Sequence, residues 1–199
     1  MRQGVLLAAV VTLLITGPTV PLHAARDAGI AAYEKSDYAT ALHELTPDAE
    51  AGDAEAQSYL GVLYVKGQGV KRDEAKAAFW FRKAAEQGNA EAQFYLGTLY
   101  SRGAGVPRDD AAAVSWLRKA AEAGHQFAQS SLAEMYLDGR GVERNLVQAY
   151  KWTVLAEPRP NPQQVPWNSF PVHRVARMMK PAEVARGQKL VKQWLRARR

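Results

Sequence analysis

Apolar residues along this chain step by three and four rather than by two. Between residues 54 and 66, Ala56, Leu60, Leu63 and Tyr64 form one stripe; between 74 and 87, Ala77, Trp80, Phe81, Ala84 and Ala85 form another. Both stripes follow the 3.6-residue period of an amphipathic helix. They predict a helix pair, A and B, joined by the polar stretch GQGVKRD at 67–73. That stretch returns as GAGVPRD at 103 and GRGVERN at 139, a spacing of 36 residues each time. The flanking helices repeat with it, giving units at 54–89, 90–125 and 126–157. A period of this length is the mark of stacked helical hairpins, each burying the face its neighbour leaves open.

The periodicity decides how the motifs are read. Gly-x-Gly is compatible with a phosphate-cradling loop, but no β-like segment precedes any copy, and a dinucleotide site needs one. Three copies in register point instead to a turn. Gly67, Gly103 and Gly139 fall just past helix A, where a left-handed residue ends a helix at low cost. Gly69, Gly105 and Gly141 let the chain turn back. Asp73, Asp109 and Asn145 fall where an N-cap of helix B belongs. Gly61 and Gly97, with Ala133 in the third unit, lie mid-helix and predict close approach of a neighbouring helix. Trp80, Trp116 and Trp152 are expected to be the large core side chain of each B helix. Tyr64, Tyr100 and Tyr136 are expected to reach across the unit boundary with their hydroxyls.

Both ends depart from the period. Residues 26–53 read as a degenerate helix pair, about 26–35 and 38–51, in which Asp37 aligns with Asp73, Ala41 with Ala77 and Gly52 with Gly88. Residues 158–171 are proline-rich and cannot continue helix B. A short helix over 172–179 and a long one from Pro181 follow, the latter with Val184, Val191, Trp194 and Leu195 on one face. These helices are expected to cap the stack.

Charge divides along the same lines. Residues 172–199 carry nine Lys/Arg against Glu183 alone, whereas the body of the chain is slightly acidic. The basic balance therefore belongs to the tail and does not imply nucleic acid, for which basic–aromatic interleaving is also missing. Two roles suit such a tail: a solvated cap, or an electrostatic dock for an anionic envelope surface. Arg2, the apolar run Val5–Ile15, the breakers Gly17 and Pro18, and small residues before Arg26 match a secretory signal over 1–24. That predicts a periplasmic or secreted chain with no transmembrane span after cleavage. There is no cysteine, so disulfides, thiol chemistry and cysteine-bound zinc are excluded.

Catalytic chemistry finds little support. His43, His125 and His173 lie in separate units without ligand spacing, and Ser130 and Ser131 sit on a helix without a nucleophile elbow. No metal, no cofactor and no enzymatic function are expected.

The unit AEAQSYLGVLYVKGQGVKRDEAKAAFWFRKAAEQGN closely resembles the Sel-one-like repeat, an α/α repeat related to tetratricopeptides. The matching positions are Ala56, Leu60, Gly61, Tyr64, Gly67, Gly69, Val70, Asp73, Ala77, Trp80, Lys83, Ala84, Ala85, Glu86 and Gly88. The second unit matches equally; the third departs at Ala133, at Asn145 and at the end of helix B. The resemblance implies an all-α, right-handed α/α superhelical solenoid with a concave face lined by A helices, acting as an adaptor for another protein or peptide. The alternative it leaves open is an envelope accessory factor for a cell-wall or polysaccharide ligand. Positions that differ between units carry the expected affinity: Ser58, Val62 and Val65; Phe94, Thr98 and Ser101; Ser130, Glu134 and Leu137. They lie opposite the core stripe and are expected to form an exposed groove. Trp167 and Phe170 could pack inward or face a partner.

Overall fold

The structure is a computed structural model that describes residues 24–158 and 170–198. The expected signal segment up to residue 23, most of the proline-rich segment with Trp167, and the Phe170 side chain lie outside the described residues. Those described fold into α1 (Ala24–Glu34), α2 (Tyr38–Ala51), α3 (Ala54–Lys66), α4 (Glu74–Glu86), α5 (Ala90–Arg102), α6 (Asp110–Ala123), α7 (Gln126–Asp138), α8 (Leu146–Leu155), α9 (Phe170–Ala176) and α10 (Pro181–Arg196). No strand occurs among them. Each helix packs on its sequence neighbour from α1 to α8, so the architecture is an all-α solenoid of helix pairs. The first helices of successive pairs also touch, α1 with α3 and α3 with α5, which marks the inner side of the curve.

Local chemistry sets each helix boundary. Asp73, Asp109 and Asn145 accept hydrogen bonds from the backbone N–H of Lys76, Ala112 and Gln148 and so cap α4, α6 and α8. Their own backbone N–H groups donate back to the carbonyls of Tyr64, Tyr100 and Tyr136, which closes each loop. Gly67, Gly103 and Gly139 take φ between 66° and 72° at the ends of α3, α5 and α7. Gly69, Gly105 and Gly141 share that backbone geometry and do something more. A Cβ on Gly69 would lie 2.5 Å from the Tyr38 carbonyl oxygen, and Gly105 and Gly141 press on Glu74 and Asp110 in the same way. Each loop therefore sits against the first residue of the preceding B helix.

Three apolar clusters fill the stack, each built around B helices held between A helices. The first joins α1, α2 and α3 through Leu45, Leu60 and Leu63. The second joins α3, α4 and α5 through Val62, Phe81 and Leu96. The third runs from α6 to α10 through Leu117, Leu132, Tyr150 and Val191. Gly61 permits the second: a Cβ there would meet the Phe81 ring at 2.5 Å. Gly97 plays the same part over Leu117.

The tryptophans correct the sequence expectation. Trp152 is buried, but Trp80 and Trp116 are half-buried and pack against the cluster of the preceding unit. The next residues, Phe81 and Leu117, are the buried side chains. The outer face of each indole is covered by a lysine ammonium: Lys83 on Trp80 at 5.4 Å, Lys119 on Trp116 at 4.0 Å, and Lys151 on Trp152 at 3.9 Å. A ring that closes a seam can keep one face toward a cation.

Polar ties run between units. Gln57, Gln93 and Gln129 are buried, and each donates from Nε2 to a carbonyl at the end of the preceding B helix: Ala49, Ala85 and Ala121. Arg82 and Arg118 donate to the hydroxyls of Tyr100 and Tyr136 across the same boundaries, at 2.8 and 2.9 Å. At the far end α10 lies on α8, with Gly187 against the Tyr150 ring and Val191 fully buried.

Candidate interaction surface

The nine positions expected to form an exposed groove separate in the structure. Ser58 and Val62 are buried, and Val62 belongs to the cluster that joins α3 to α5. Val65 packs on that cluster from its edge. The physical reason is the curvature. In a solenoid an A helix meets two B helices and the next A helix, so the stripe opposite its own B helix becomes a seam rather than a surface. Thr98 is half-buried, with Oγ1 donating to the Phe94 carbonyl, and Ser101 Oγ accepts from Arg140 at 3.5 Å. Ser130 and Glu134 are exposed and Leu137 is buried; all three border a cavity of about 220 Å³ with Ala133, Thr153 and Arg174.

The accessible line runs beside that stripe, through Glu55, Tyr59 and Lys66 on α3 and Glu91, Tyr95 and Arg102 on α5. Tyr33 of α1 joins it, edge-on to Tyr59 at 5.1 Å and bonded by the Lys66 ammonium at 3.3 Å. Burial raises the pKa values of Tyr59 and Tyr95, and the neighbouring Glu55 and Glu91 add to the rise. This face therefore offers neutral phenols flanked by carboxylates.

Phe94 stands out. Its ring stacks on His125 at 4.6 Å, lies 6.1 Å from Phe127 and 5.4 Å from Tyr95. Phe127 is 71% exposed. All three of Phe94, His125 and Phe127 break the repeat: the corresponding positions hold serine, Asp53 or Asn89, and Glu55 or Glu91. Packing repeats with the unit, so residues that depart from it and still converge are not there for stacking alone. Sequence reasoning found Phe94 but missed His125 and Phe127. The signal was present, since Asp53 and Asn89 agree in character where His125 departs, as do Glu55 and Glu91 where Phe127 departs.

His125 holds the cluster in place. Its Nδ1 accepts from the Ala128 N–H and caps α7, while Nε2 donates to Glu91 Oε2 at 2.8 Å. One ring thereby ties α7 to α5. The hydrogen bond from His125 holds the Glu91 carboxyl below its ordinary pKa. Among the described residues no cluster of His, Asp and Glu could hold a metal ion, and no helix is long and apolar enough to cross a membrane.

Comparison with known proteins follows the same boundaries. The Sel1 repeat profile matches residues 54–89, 90–125 and 126–156. The crystal structure of a Sel1 repeat protein from Oxalobacter formigenes is 40% identical over a match covering 64% of this chain and 53% of that one, with a TM-score of 0.61. That of c5321, a protective antigen of uropathogenic Escherichia coli strains displaying an SLR fold, is 32% identical. Its match covers 91% of this chain and 42% of that one, with a TM-score of 0.71. This chain thus spans about half the length of those relatives or less. No curated protein matches it.

Proposed function

The chain belongs to the Sel1 repeat family, whose members generally scaffold protein–protein interactions, and on that premise we propose that it is an exported adaptor that grips a partner protein on its inner, A-helix face. The grip is the aromatic platform of Phe94, His125 and Phe127, continued by Tyr95 and Tyr59 toward α1. The observation that carries this reading is the convergence of three repeat-breaking side chains into one cluster, in which the half-buried Phe94 and His125 support the exposed Phe127. A 71% exposed phenylalanine contributes nothing to the core and pays a solvation cost. Covered by a partner, the same ring adds the large, rigid contact area that dominates interface energetics.

The test compares two baits against envelope extract with quantitative mass spectrometry: the chain itself and its Phe94→Ala/Phe127→Ser variant. Phe127 is exposed, so its change should leave folding nearly untouched. The expected result is a protein that the parent chain retains and the variant loses. Equal capture by both baits, or retention of polysaccharide alone, removes the reading. Export is checked separately by fusing residues 1–30 to a phosphatase active only outside the cytoplasm.

A further inference from the structure

We propose that the cleft between the start of α8 and α10 is a binding site for a phosphate group. The cleft holds about 780 Å³, and its lining includes Arg144, Asn145, Leu146, Glu183, Arg186 and Lys189. The inference goes beyond the adaptor reading and does not rest on it.

Arg72, Arg108 and Arg144 occupy the same place in three successive loops. Arg72 is paired with Glu74, and Arg108 with Asp110 at 2.8 Å. In the third loop the acid is replaced by Leu146, and the capping aspartate by Asn145. Two carboxylates are therefore erased in the one copy that faces the basic C-terminal helix. Arg144 is left with a single bond from Nε to the Leu137 carbonyl, its outer nitrogens having no acid partner among the described residues. Arg186 and Lys189 come from the α10 side, and neither has an acid partner there either.

One acid remains in the lining, and it is occupied: Glu183 Oε2 accepts from the Lys180 backbone N–H at 2.7 Å, at the start of its own helix. Three cations against one acid leave an excess of two positive charges. A phosphate ester near neutral pH carries about −1.5 to −2, which matches that excess; a single carboxylate does not. Two guanidinium forks and an ammonium also suit the oxygens of a tetrahedral anion. The side-chain cations carry the site, because Asn145 already occupies the Gln148 amide of α8.

The experiment uses the full chain, with inorganic phosphate and pyrophosphate as probes, followed by isothermal titration at low salt. Saturable binding is expected. Arg186→Gln and Lys189→Gln should each weaken it about tenfold. Asn145→Asp/Leu146→Glu, which restores the acids of the first two loops, should abolish it. Arg186 is exposed, so its variant keeps the test decisive if the half-buried Leu146 proves costly to change. Arg174→Gln, on α9 and outside the cleft lining, removes one charge as Arg186→Gln and Lys189→Gln each do and should leave the affinity unchanged. Absence of binding overturns the proposal. So does equal weakening by the α9 variant, which would make the effect a diffuse property of the basic tail. Vesicles containing phosphatidic acid, whose headgroup is a phosphate monoester, distinguish the source of the phosphate. Capture that pyrophosphate reverses identifies a lipid headgroup, and binding in solution without capture identifies a soluble phosphate; both support the site.

Discussion

Gly61 and Phe81 show how single residues set the spacing of the helices. A methyl group on Gly61 would meet the ring of a fully buried phenylalanine at 2.5 Å, so either the ring or the helix must move. Overpacking of this kind costs about 1–3 kcal/mol, and alanine's better helix propensity offsets up to about 1 kcal/mol. Gly61→Ala is therefore expected to lower stability by roughly 1–2 kcal/mol in urea denaturation. The third unit supports the logic, for it carries Ala133 together with the smaller Thr153 where the others pair glycine with Phe81 and Leu117. A Gly61→Ala variant more stable than the parent would contradict the account. The Glu91–His125 pair gives a second residue-scale expectation. Its folded carboxyl titrates below the ordinary range of about 4.3. The contribution is complete above that range and is lost as pH falls through the depressed folded value. The stability difference between the parent and Glu91→Gln should shrink as pH falls through that depressed value. A carbon-detected NMR titration of Glu91 should place its midpoint under that of a model peptide.

At the scale of elements, the two loop glycines have different jobs that the motif conceals. Gly103 ends α5 with φ of 66° and opens only onto its own loop, near Arg108. Replacing it with alanine costs the left-handed backbone penalty of about 1–2 kcal/mol. Gly105 has the same backbone strain but also lies against the backbone of Glu74 in the preceding unit. Gly105→Ala should therefore cost at least about 1 kcal/mol more than Gly103→Ala, the excess being overpacking at a unit boundary. Matched guanidinium melts of the two variants test the difference, and equal losses would mean that the loop does not hold its neighbour. Helices, caps and loops were legible in the sequence because each depends on residues close in the chain: Asp73 three places before Lys76, Gly67 at the end of α3. The seams were not. Whether Val62 faces water or α5 depends on how far the array curves, and curvature is a sum of small rotations that no single unit encodes. The depth of Trp80 was not legible for the same reason, since its period of 36 shows that it packs repetitively but not on which side. The aromatic platform was half-legible: Phe94 was found as a variable position, but its partners are His125, at the far end of its own unit, and Phe127, from the next.

Across the whole molecule, the apolar clusters are unequal. The cluster joining α1 to α3 contains few buried residues, all of them alanine or leucine, whereas the C-terminal one runs from α6 to α10 and includes Tyr150, Trp152 and Met135. In an array held by nearest-neighbour contacts, local opening follows the local interface rather than the global average. Native-state hydrogen exchange should therefore find α1 and α2 opening at the lowest free energy and α6 to α8 at the highest. The cap provides the decisive variant. Val191 is fully buried beneath α10, so Val191→Ala should remove about 2 kcal/mol. If the stack behaves as coupled units, that loss appears in the protection of α7, α8 and α10 and leaves α1 to α3 unchanged. A uniform fall in protection along the chain would instead show a single cooperative body, in which strain from a partner on the inner face would reach the basic C-terminal helix directly. The short inter-unit ties, one buried glutamine and one arginine–tyrosine bond at a boundary, favour the first outcome, because each connects only the pair of units it spans.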